Sequence, residues 1–211
     1  MRHIMVLNAK GGSGKTTIAT NLASYLATRG KSVGIADFDP QGSSLAWLRE
    51  RPAGRPLIQG YAAWQGKSKP ARNLEYLIMD APAAVHGKDL NALLRKAETI
   101  IIPVLPSPID MRAAVDFIEE LKKNTRVAKK EAKIALVANR TREYTNIYHE
   151  LEAFLKKLRV PVLTHLRDSQ NYIRAAERGI GIFELAPSST ARDCEQWQGI
   201  TRWLNSKRSQ P

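Results

Sequence analysis

Seven residues near the amino terminus have the types and spacing to hold a phosphate group: Lys10 to Thr16 read Lys-Gly-Gly-Ser-Gly-Lys-Thr. The glycines at Gly11, Gly12 and Gly14 let the backbone curl until successive N–H groups face one anion. Lys15 is placed to meet the outer phosphates of a nucleotide. The Thr16 hydroxyl is placed to ligate Mg²⁺. Three carboxylates follow at chemically suggestive places. Asp37 and Asp39 stand two residues apart in Asp37-Phe38-Asp39-Pro40-Gln41-Gly42, and Asp80 ends the apolar run Glu75 to Asp80. Asp80 is of the type that holds Mg²⁺ through a water. An Asp-x-Asp pair alone is ordinary turn chemistry, but behind a phosphate loop it becomes a candidate for function.

The elements that must position these groups are legible as periodicity. Ile4 to Leu7 is a buried-strand run, and Ile18, Leu22, Tyr25 and Leu26 recur on one helical face. Strand, glycine loop and helix are the context that a phosphate loop requires, and the helix N-terminus adds its partial positive charge. Lys31–Asp37 reads as a second strand after a Gly30 stop, and Ser43–Arg51 as a short helix with Leu45 and Leu48 inward. A short strand is expected near Leu57–Ile58, with Trp64 in local packing and a basic turn at Lys67–Arg72, although residues 52–73 are the least readable stretch. Strands are further expected at Glu75–Asp80, Glu98–Pro106, Ala132–Asn139 and Val160–Thr164.

Between them lie a loop, Ala81–Gly87, in which His86 reads as a surface residue, and a helix opened by Pro-Ser-Pro with Met111, Val115, Ile118 and Leu121 in period. A further amphipathic helix follows, on Ile147, Leu151, Phe154, Leu155 and Leu158. The last helix, Thr190–Lys207, places Trp197, Ile200, Trp203 and Leu204 on one face, which either packs on a sheet or lies on a membrane surface. This alternation predicts one α/β domain over 1–211: a doubly wound, mostly parallel sheet with helices on both faces. Carboxylates at the C-terminal ends of its strands would face the ligand crevice.

Composition narrows the partners. The formal charge is +13, with 33 Lys and Arg against 20 Asp and Glu. That excess points to a polyanion, nucleic acid or an anionic membrane, against the plainer reading of a soluble basic surface. It is spread along the chain and densest over Lys122–Lys133, which has six Lys/Arg and one acid. No apolar run is long enough to cross a bilayer, and a strand at the very start leaves no room for a signal peptide. The lone Cys194 makes no internal disulfide and fits a reducing cytoplasm.

Position 9 is Ala where the general phosphate-loop pattern has Gly, and Lys10 precedes the glycines. This Lys-Gly-Gly-x-Gly-Lys-Thr loop, with Asp-x-Asp-Pro-Gln-Gly and a strand-end Asp80, resembles the deviant Walker A ATPases of the ParA/MinD superfamily, nearest to small ParA-type partition proteins without an added N-terminal DNA-binding domain. The related nitrogenase iron protein needs two cysteines per subunit, and this chain has one. The resemblance implies a P-loop fold and weak, adaptor-stimulated ATP hydrolysis with Mg²⁺.

Residue by residue, it implies nucleotide contacts from Lys10, Gly11, Gly12, Ser13, Gly14, Lys15, Thr16 and Thr17, with Asn139 by the adenine. Lys10 would reach the partner subunit's nucleotide in an ATP-bound homodimer. Asp39 would orient the attacking water, and Thr16, Asp37 and Asp80 would serve the metal. Arg167, Arg174 and Arg178 would hold non-specific DNA. A ParB-like or cargo-adaptor protein would be the second partner, at the nucleoid in the cytoplasm, and the cargo a plasmid, a chromosome locus or a protein assembly. Two rivals stand beside this reading. One is a MinD-like membrane-cycling ATPase, against which Lys207–Pro211 offers no apolar anchor. The other is a metabolic P-loop enzyme, for which the loops offer no substrate pocket.

Overall fold

A computed structural model describes residues 1–66 and 69–211. Seven strands form one sheet: β1 (Arg2–Val6), β2 (Val33–Asp37), β3 (Ile58–Ala62), β4 (Tyr76–Asp80), β5 (Thr99–Val104), β6 (Lys133–Thr141) and β7 (Val162–Arg167). Their spatial order is β3-β2-β4-β1-β5-β6-β7, and every pairing is parallel. The chain winds outward from β1 to one edge, returns through β4, and winds to the other edge from β5. The C-terminal end of β1 therefore opens on the crevice where doubly wound sheets bind ligands.

Strand residues alternate between two apolar clusters, one per face. Met5, Met79, Ile100 and Leu136 belong to one, and Ile4, Val6, Ile78 and Val137 to the other. Helices α3 (Gly87–Leu94), α4 (Pro108–Lys123) and α6 (Asn146–Lys157) cover the first face. Helices α1 (Lys15–Thr28), α2 (Ser43–Arg49), α7 (Gln170–Ala176), α8 (Pro187–Gln196) and α9 (Gln198–Leu204) cover the second. A single turn, α5 (Thr125–Ala128), follows α4. Each fully buried large aliphatic side chain contributes about 1.5–3 kcal/mol, and strands buried on both faces explain the continuous apolar runs.

Several expectations need adjustment. Val115 is 36 % exposed, and the buried stripe of α4 is Met111, Ala114, Phe117, Ile118 and Leu121, because an α-helix turns 100° per residue and Phe117 falls nearer its centre. In α2 the fully packed residue is Trp47; Leu45 and Leu48 are half-buried against Gly60 of β3. The last helix is two helices joined at Trp197, and its Trp197, Ile200, Trp203 and Leu204 are buried on the sheet. That burial overturns the membrane-surface alternative for this segment, since its apolar face is already covered. Strand β6 runs on to Thr141, past the expected end at Asn139. Trp64 packs locally, its ring lying where a Cβ on Gly42 would come within 3.3 Å. Of the expected basic turn 67–72, Lys67 and Ser68 lie outside the described residues.

Candidate functional site

The glycine loop leaves β1 and enters α1 as its spacing predicts, and the structure shows what holds it open. Gly12 and Gly14 have φ of 74° and 91°, in the left-handed region that side chains avoid. Gly14 is doubly constrained, because a Cβ there would run into the Asn139 amide nitrogen. That amide donates to Ser13 O at 2.8 Å from the end of β6. Asn8 is buried and ties the loop to β5, donating to Pro103 O at 2.6 Å while its carbonyl accepts from Lys10 N at 3.0 Å. From the far side, Ala84 N donates to Ala9 O at 2.8 Å. Ala84 itself is left-handed, at φ 55°.

Lys15 is 8 % exposed, and its ammonium donates to Lys10 O at 3.1 Å across the loop. Burial lowers its pKa, while Asp80 and Asp39 oppose the shift. A buried ammonium leaning on one carbonyl is set to exchange that bond for a phosphate oxygen. The Lys10 side chain is half-buried and forms no ion pair among the described residues.

The three carboxylates are neighbours at the sheet edge, but they are not equivalent. Asp80 is 2 % exposed with its Oδ1 unpaired. Burial pushes its carboxyl up to about 7; the Thr16 hydroxyl works against that rise, and the nearby Asp37 adds to it. An orphaned carboxylate oxygen beside a hydroxyl fits Mg²⁺, a hard cation that takes one or two protein oxygens and completes its shell with water and phosphate. No group of three or more His, Cys, Asp or Glu is placed to hold a metal ion on its own among the described residues.

Asp37 differs from expectation. It is fully buried, its Oδ1 accepts from Asp39 N at 3.0 Å, and its Oδ2 accepts from Ser44 N and Oγ at 3.0 and 2.7 Å. Its oxygens are hydrogen-bonded within its own loop, so it braces Asp39 and the start of α2. Asp39 is half-buried and does line the cleft.

That cleft encloses 620 Å³ above the ends of β1, β4 and β6. Gly11, Gly12, Gly14, Lys15, Thr16 and Thr17 form one wall, and Asp39, Gln41 and Ser43 another. Asn139 sits in it, touching the phosphate loop itself. Its far end is made by Arg140, Asp168, Ser169, Tyr172 and Ile173, none of which the sequence singled out. They come from the end of β6, the turn after β7 and the start of α7, which only the tertiary fold brings to the loop. A register shift between Ala138 and Thr141 and a left-handed Arg140 (φ 53°) mark that bend, the kind of backbone strain that gathers at ligand sites.

The three expected DNA-contacting arginines separate. Arg167 lines the cleft and is bound to the buried Asp193 at 2.6 and 3.0 Å. Its guanidinium is paired with that buried carboxylate while its side chain stays 32 % exposed. Arg174 and Arg178 are exposed on and just after α7, without an ion pair among the described residues. His86 is on the surface as expected, with Glu120 of α4 at 2.8 Å from its Nδ1.

Residues 4–182 match the CobQ/CobB/MinD/ParA nucleotide binding domain. The chain is 32 % identical over 194 residues to the maintenance of carboxysome distribution protein A of Halothiobacillus neapolitanus, covering 86 % of this chain and 87 % of that protein. A Cyanothece McdA–ATP complex superimposes with a TM-score of 0.74 over 95 % of this chain and 96 % of the other, at 17 % identity. The MinD cell division protein of Aquifex aeolicus superimposes equally well, at 0.74 over 98 % of both chains with 17 % identity. At such identities the two superpositions speak to the fold alone.

Proposed function

Because this chain belongs to the CobQ/CobB/MinD/ParA family of nucleotide-binding domains, we propose that it is a ParA-type ATPase that positions a cargo. The observation that carries the reading is the convergence of the glycine loop, Lys15, Thr16 and Asp39 on one cleft, with the buried Asp80 and its orphaned oxygen beside Thr16. Lys15 and the loop amides would cradle the β- and γ-phosphates, with Thr16 and Asp80 holding Mg²⁺, which supplies charge neutralisation at the phosphates. Asp39 would align water with the γ-phosphate, and Asn139 would stand beside the base. Lys10 would serve a second subunit across an ATP-bound dimer.

The +13 charge, with Arg174 and Arg178 exposed on and just after α7, supports non-specific DNA as the surface on which the dimer is held. An adaptor on the cargo would stimulate hydrolysis and release. Similarity across most of the chain to a carboxysome distribution protein favours a protein assembly as cargo over a plasmid. The test is co-sedimentation with random-sequence DNA and with anionic liposomes, in ATP and in ADP. Binding to DNA only, in ATP only, and weakening steeply with salt is expected. Preference for liposomes would replace this reading with a membrane-cycling one.

A further inference from the structure

Two helices leave the nucleotide cleft, and both are tied to one short segment, α1 from its middle and α2 from its far end. Helix α1 leaves the phosphate loop, and α2 leaves the carboxylate loop, where Asp37 holds both Asp39 N and the first turn of α2. At the far end of α2, the Trp47 indole donates to Ile180 O at 3.3 Å, and Arg51 Nη1 donates to Gly179 O at 3.1 Å. Arg51 also grips Glu184 with two bonds, of 3.0 and 2.9 Å. Both side chains are buried, 6 % and 1 % exposed. From α1, Ser24 Oγ donates to the same carboxylate at 2.6 Å, and Asn21 Oδ1 accepts from Ile182 N at 2.8 Å. Gly179, at φ +60°, packs so closely that a Cβ would strike the Arg51 backbone.

Segment 179–184 is therefore clamped to both cleft-bearing helices, and the exposed Arg174 and Arg178 stand immediately before it. A displacement of the Asp39 loop has a rigid, hydrogen-bonded route to that basic surface. The route runs through a buried charge pair, and Glu184 is further held by Ser24, by Gly181 N and by Arg55 at 3.9 Å.

We infer that Arg51 and Glu184 are positioning residues that transmit the state of the nucleotide cleft to segment 179–184 and so to the Arg174–Arg178 surface. This rests on the ATPase reading above. The experiment is hydrogen–deuterium exchange on the full chain with and without Mg²⁺ and a non-hydrolysable ATP analogue, read on peptides spanning 177–184, which lie outside the cleft lining.

In wild type the analogue is expected to slow exchange there. In the double variant Arg51→Met/Glu184→Gln, which leaves no buried unpaired charge, the analogue should still bind by calorimetry but the slowing should be lost. The ratio of ATP-state to ADP-state DNA affinity should fall toward one. Arg51→Lys keeps the charge pair and folding but cannot hold Glu184 by a fork and Gly179 O together, so partial loss is expected. Equal slowing in wild type and both variants, or bound analogue with no response in wild type, overturns the inference. Failure of wild type to bind the analogue sinks the ATPase reading itself, and this inference with it.

Discussion

A single carboxylate separates two roles that the sequence motif joins. Asp37 and Asp39 are the same residue type two positions apart, but Asp37 is fully buried with both oxygens hydrogen-bonded within its loop, while Asp39 faces the cleft. Asp39→Ala should therefore leave ATP affinity nearly unchanged, since the cradle is intact, and slow hydrolysis by removing the group that aligns water. Positioning effects of this kind reach about 10²-fold or more. Single-turnover hydrolysis at the wild-type rate would remove Asp39 from the mechanism. The phosphate loop was legible from residue types alone because backbone geometry demands glycine at Gly12 and Gly14. The fate of Asp37 was not, because it depends on where Ser44 N and Oγ fall after α2 has folded.

The elements were mostly legible for the same reason: strands buried on both faces and helices buried on one leave strong periodic signals. What escaped were contacts between elements distant in the chain. Arg167 read as a free basic residue, yet the packing of α8 on β7 sets it against Asp193, which is wholly buried and also accepts from Asn171 at 2.6 Å and Ser169 at 3.3 Å. Burial pushes the Asp193 carboxyl up, but Arg167 and Asn171 overcome that and hold it below its ordinary 3.8.

A depressed carboxyl contributes stability that is fully present above the unfolded-state pKa and lost as pH falls through the folded one. Asp193→Asn should thus cost about 1.5–3 kcal/mol at neutral pH, the worth of hydrogen bonds to a charged group. The two unfolding curves should converge once pH drops well below 3.8. Chemical denaturation at pH 7 and in strong acid checks this, and a pH-independent difference would mean that the carboxylate is not held in its charged form.

At the scale of the whole molecule, the glycine loop that walls the cleft is flanked by two lysines. Lys15 is buried within it, and Lys10, one loop residue before the glycines, is half-buried with no anion against it among the described residues. Lys15 already occupies the position that serves the chain's own phosphates, so a second lysine there is redundant for one subunit. Across a close interface, however, its side chain is long enough to meet the partner's nucleotide, where it would offset charge developing at the γ-phosphate. Lys10→Ala should accordingly bind ATP as a monomer with near wild-type affinity. Dimerisation in ATP, adaptor-stimulated hydrolysis and DNA retention should then fail together, because two weak basic surfaces hold DNA well only when joined. If Lys10 is instead an ordinary loop charge, its removal is worth little. Light scattering of the variant with a non-hydrolysable analogue separates the two: a monomer supports the intersubunit contact, and a normal dimer places Lys10 outside the interface.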